Sequence, residues 1–72
     1  MTTKPKLLDV VALIIDLPER KLWRGQVGTV IECLDSDSFE IEFCDGDGRT
    51  YACLALPADQ LMVLHYCPSE VA

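Results

Sequence analysis

Between Phe39 and Phe43 apolar and acidic residues alternate without interruption, with Phe39, Ile41 and Phe43 on one side and Glu40 and Glu42 on the other. A period of two marks a strand with one face buried and the other wet. Just before it, Val27 to Leu34 is rich in β-branched residues. Asp35-Ser36-Asp37-Ser38 joins the two runs with short polar side chains that hydrogen-bond their own backbone. The stretch is therefore predicted to be a β-hairpin. In its first arm Glu32 should face water, which puts Ile31 and Cys33 inward and Val30 on the outer face, unless Gly28 marks a bulge that shifts the pattern. Glu32, Glu40 and Glu42 are then expected together on one solvated face.

The rest of the chain supplies partners for this hairpin. Leu7 to Leu17 is long enough for a helix, but Val10, Val11, Ile14 and Ile15 are β-branched and no capping box precedes them. A strand over Asp9 to Ile14 is expected, covered on both faces because it is apolar almost throughout. Asp16 to Gln26 reads as a loop, since Pro18 disfavours helical geometry at Leu17 and Arg24-Gly25 closes the stretch. Within that loop Leu22 and Trp23 are the exceptions. One of them should turn back onto the core, and Trp23 is either a lid on it or a recognition residue.

After the hairpin, Asp45-Gly46-Asp47-Gly48 reads as a second turn and Thr50 to Ala55 as a fourth strand. Leu56 to Gln60 suits a single helical turn, and Leu61 to Leu64 a fifth strand. Met1 to Lys6 and the tail from His65 to Ala72 read as loosely held ends around a core of about residues 7–65. Five short strands, one long loop, tight turns and a late helical turn describe a small all-β SH3-like barrel, one domain over residues 1–72.

Composition narrows the choice of partner. A chain of 72 residues buries only about 60% of the surface its unfolded form exposes. Half of its residues are hydrophobic, so some apolar surface should remain uncovered as an interaction or self-association face. A net charge of −6 repels phosphate backbones, and the only cationic cluster is Arg20, Lys21 and Arg24, with Lys4 and Lys6 near the start. Nucleic acid is not the expected partner.

Cys33, Cys44, Cys53 and Cys67 are spaced by 11, 9 and 14 positions, with no C-x-x-C pair and a single histidine, His65. That set does not match a zinc site. Asp9, Asp16 and Pro18 break the early apolar run, so neither an export signal nor a membrane span is expected. The thiols should then be reduced in a cytoplasmic setting, with Cys33 and Cys53 packed inward as small hydrophobes. Asp45-Gly46-Asp47-Gly48 has the look of a calcium loop, but no closing glutamate follows at the required position. No cofactor and no metal are expected. His65 and Cys67 are not a prearranged dyad, and carboxylates on an open sheet face lack the cleft that glycosidic chemistry needs. No catalytic residues are assigned, and the chain is not expected to be an enzyme.

Taken jointly, Asp9-Val10-Val11-Ala12-Leu13, Asp16-Leu17-Pro18-Glu19, Leu22, Arg24-Gly25-Gln26-Val27-Gly28-Thr29-Val30, Glu40-Ile41-Glu42-Phe43, Asp47-Gly48-Arg49-Thr50 and Gln60-Leu61 resemble a family of small bacterial, often cyanobacterial, domains of unknown function. The resemblance implies a small β barrel and transfers no catalytic residue. A looser similarity, through Gly25-x-x-Gly28-Thr29-Val30, is to the KOW-type barrels of ribosomal and transcription-elongation proteins. Their RNA binding relies on basic loops, where this chain is acidic. Trp23 and the extra cysteines depart from the unknown-function pattern.

The expectation is thus a non-catalytic protein-protein interaction module. Its partner surface would comprise Arg20, Trp23 and Arg24 of the long loop, with Tyr51 or Tyr66. Two alternatives stand beside it: a homodimer pairing through a strand edge or the outer face around Val30, and an acidic protein that neutralises a basic partner.

Overall fold

The computed structural model describes residues 4–65. Five strands form one antiparallel sheet: β1 (Val10–Leu13), β2 (Val27–Cys33), β3 (Ser38–Cys44), β4 (Thr50–Pro57) and β5 (Leu61–Val63). Their order across the sheet is β4-β3-β2-β1-β5. The sheet is open, with β4 and β5 as its two edges. Two short 3-10 turns complete the fold, Pro18–Arg20 in the β1–β2 loop and Ala58–Gln60 before β5.

One face of the sheet carries the core. Val11, Leu13, Val30, Phe39, Ile41, Phe43, Leu54, Leu56 and Leu61 are buried there, joined by Leu22 from the loop. Burial of each such side chain is worth about 1.5–3 kcal/mol. β3 follows its sequence period, with Phe39, Ile41 and Phe43 inward between half-buried Glu40 and Glu42. In β1 the residues Val11, Ala12 and Leu13 are all buried, as a two-sided apolar strand requires.

The phase of β2 differs from the sequence expectation. Val30 is fully buried and Ile31 exposed, while Cys33, although opposite inward-facing Phe39, lies exposed at the end of the strand. Residues directly opposite in an antiparallel ladder share a face, and Val30 pairs with inward-facing Ile41. Simple alternation would then turn Glu32 inward as well. A register shift between Val30 and Glu32 makes Ile31 the extra residue, and Glu32 comes out opposite Glu40 on the wet face. The bulge therefore lies at Ile31, not at Gly28. Gly28 serves close packing instead: a Cβ there would lie 2.7 Å from Ile41 Cγ2 and 2.9 Å from the Glu42 carbonyl oxygen.

Cys53 is likewise exposed, because Leu54 and Leu56 take the inward positions of β4. β4 also runs on through Leu56 and Pro57, which the sequence had placed in the helical turn. Both hairpin turns are built on aspartate. Asp35 Oδ1 accepts the Asp37 N–H at 2.8 Å, and Asp45 Oδ1 accepts those of Asp47 and Arg49 at 2.9 and 3.0 Å. Gly48 adopts a positive φ of 82° at the end of the second turn. Asp45 is thus engaged in shaping its turn. Among the described residues no three His, Cys, Asp or Glu side chains converge as a metal-holding group, and no helix is long and apolar enough to cross a membrane.

Candidate functional site

The β1–β2 loop is pinned at several points. Leu17 and Leu22 exchange backbone hydrogen bonds, N–H to C=O, at 2.8 and 3.1 Å, pinching off the Pro18–Arg20 turn. Proline suits the first position of that turn, where a backbone N–H has no partner to lose. Lys21 closes it in left-handed geometry at φ 57°, and Leu22 drops into the core at 1% exposure. Trp23, its neighbour, is left 52% exposed. Trp23 is therefore no lid on the core; Leu22 takes that place.

Further bonds hold the second half of the loop. The Arg24 N–H donates to Asp16 Oδ1 at 2.8 Å, and the Gly25 N–H donates to the Leu13 carbonyl at 2.8 Å. The Gln26 side chain works in two directions. Its Oε1 accepts the Trp23 N–H, and its Nε2 donates to Tyr51 Oη at 3.0 Å. Tyr51, 48% exposed at the start of β4, also packs its ring against Phe43 with centroids 6.3 Å apart. A single amide thus connects the indole-bearing loop to the phenol on the sheet edge.

Between the loop and β4 lies a cleft of about 340 Å³, lined by Glu19, Arg20, Lys21 and Leu22 on one side and Ala52, Cys53 and Leu54 on the other. Of the residues expected at a partner surface, Arg20 lines this cleft. Trp23 and Tyr51 flank it as the chain neighbours of Leu22 and Ala52, while Arg24 stands on the same loop outside the lining. Tyr66 lies outside the described residues. Gln26, Lys21 and Cys53 were not anticipated: nothing in the sequence marks a glutamine as a bridge until its partners are placed.

The outer face beside the cleft is acidic. Glu32 stands opposite Glu40, and Glu42 accepts the Thr50 hydroxyl at 2.7 Å. The Cys53 thiol donates to Glu40 Oε2 at 3.1 Å. This hydrogen bond, then partial desolvation, then the charges of Glu40 and Glu42 raise the Cys53 pKa above the ordinary thiol value. The thiol is held protonated, the form that is neither nucleophile nor metal ligand.

A family model described as Domain of unknown function (DUF4926) matches residues 7–63. The chain belongs to that family. The DUF4926 match spans both halves of the surface, the pinned loop from Leu17 to Gln26 and the β4 segment from Tyr51 to Leu54. No curated protein and no solved structure matches the chain.

Proposed function

We propose that this DUF4926 domain is a non-catalytic protein-interaction module of the cytoplasm, its partner surface built by Trp23, Gln26 and Tyr51 with Arg20 beside them. The observation that carries this reading is the half-exposed Trp23 on a loop held by backbone bonds at Leu17, Leu22 and Gly25. A large aromatic presented by an ordered loop gives contact area with little entropy left to lose on binding. The strand order and the long β1–β2 loop also support reading the sheet as SH3-like.

The test is capture from host lysate with the tagged domain, at low and high salt, wild type beside Trp23→Ala. A stoichiometric partner retained at high salt and lost with Trp23→Ala is expected. The same captured proteins from both baits would sink the assignment. Because Trp23 is exposed, the substitution should leave the thermal midpoint nearly unchanged.

A second reading, homodimerisation, is favoured by a different surface. On the outer face, Ala12 is flanked across the ladders by exposed Val27 and Met62, with exposed Ile14 nearby in the chain. The patch at Val30 once open to this role is gone, since Val30 is buried. Light scattering at two concentrations decides. A strict monomer at the higher one removes the reading, and a dimer lost with Met62→Asp supports it.

A further inference from the structure

The hydrogen-bonding phase of the sheet fixes which way the β4 backbone points. Val30 donates to the Asp9 carbonyl at 2.9 Å and accepts from the Leu8 N–H at 2.8 Å, so Val30 turns its backbone to the β1 side. Backbone direction alternates along an antiparallel strand. Thr29 therefore bonds toward β3, where it meets Glu42, and Ile41 and Phe43 bond toward β4, where they meet Leu54 and Ala52. Two bonds beyond the strand pairs agree with this phase: the Ala58 N–H donates to Asp37 O at 2.8 Å, and the Leu34 N–H donates to Ser38 O at 2.9 Å. The next residues of β4, Cys53 and Ala55, consequently direct their N–H and C=O away from the sheet. β4 is an edge strand, so these groups have no strand partner, and those of Cys53 lie on the wall of the cleft.

Opposite that wall stand Arg20 and Lys21, with Glu19 on the same rim. Among the described residues Lys4 and Asp37 form the single ion pair, so neither Arg20 nor Lys21 has a carboxylate at salt-bridge distance. They make a cationic spot on a chain of net charge −6. We propose that the cleft receives an extended, acidic peptide segment of another protein, which adds to β4 as a sixth strand through the outward groups of Cys53 and Ala55 and sets a carboxylate against Arg20 and Lys21. Strand addition draws affinity from main-chain bonds and specificity from the side chains flanking them. A second copy fits less well. Its β4, Thr50 to Pro57, carries no charged side chain for the two cations, and two chains of charge −6 repel. The inference rests on the interaction-module reading and names its partner class.

The probes are a dye-labelled hexapeptide of alternating glutamate and valine and its counterpart with lysine for glutamate. Binding is followed by fluorescence anisotropy and by amide chemical shifts of the labelled domain. The acidic peptide should bind saturably, move the Cys53 and Ala55 amides most, and bind at least about tenfold more tightly than the lysine peptide. Cys53→Pro removes an N–H that faces away from the sheet, a place where edge strands tolerate proline. It should abolish binding, and Ala55→Pro is the second such variant should the first fail to fold. Arg20→Glu with Lys21→Glu should reverse the peptide preference. Equal binding of both peptides, no binding of either, unmoved Cys53 and Ala55 amides, or full binding by a folded proline variant would each overturn the inference. So would a dimer that Cys53→Pro disperses, since the edge would then belong to a second copy. Lysate capture that survives both proline variants but is lost with Trp23→Ala would overturn the strand-addition inference and leave the interaction module standing.

Discussion

Gly28 stands opposite Phe43 in the β2–β3 ladder with no room for a methyl group. The nearest obstacles are the Ile41 side chain and the Glu42 backbone, and the latter cannot move without breaking the ladder. Gly28→Ala should therefore cost about 1–3 kcal/mol through overpacking. Gly46→Ala, where a Cβ meets nothing within 4 Å and no positive φ is involved, is the matched control and should change little. Chemical denaturation of the two variants checks this. At Cys53 the bond to Glu40 and the neighbouring charges favour the neutral thiol. Alkylation at mildly alkaline pH, followed by peptide mapping, should find Cys53 slower than Cys33 and Cys44, and Glu40→Ala should remove the difference. For stability the sign runs the same way. A pKa raised by folding gives a contribution present below the unfolded thiol value and lost as pH rises through the folded one. Urea midpoints should thus fall more on alkaline titration for the wild type than for Cys53→Ser.

The β2–β3 ladder joins two carboxylates that would be better apart. Glu32 and Glu40 are direct cross-strand neighbours on the wet face, and like charges so placed are destabilising. Glu32→Lys turns the pair into an attractive one and should stabilise the domain by about 0.2–1 kcal/mol, less at high salt. A denaturation series at two ionic strengths tests it. Leu22 is the one fully buried side chain of the β1–β2 loop, at 1% exposure in the core. Leu22→Ala should cost about 2–5 kcal/mol. It should also free the Leu17–Leu22 pinch, so that the Trp23 fluorescence anisotropy drops well below the melting range while the sheet persists. A midpoint within a degree of wild type would show that the loop is held by its backbone bonds alone.

Across the whole molecule the charges and apolar groups are sorted by region. The outer surface of β2 and β3 is acidic, that of β1 and β5 is apolar, and the basic residues Arg20, Lys21 and Arg24 collect on the one long loop. The strand period of Phe39 to Phe43, the aspartate turns at Asp35 and Asp45, the β-branched β1 and the outward-facing glutamates were legible in the sequence, because each follows from neighbours a few positions apart. Local pattern also said that either Leu22 or Trp23 must turn inward. What it could not choose was which one, nor the inward face of β2, nor the exposure of Cys53, nor the role of Gln26. Each of these depends on a partner far along the chain: Ile41 opposite Val30, Leu13 accepting from Gly25, Glu40 against Cys53, Tyr51 beside Gln26. Periodicity records how a strand divides its residues between two faces. Which face becomes the core is settled when strands pair, since one extra residue at Ile31 exchanges the two.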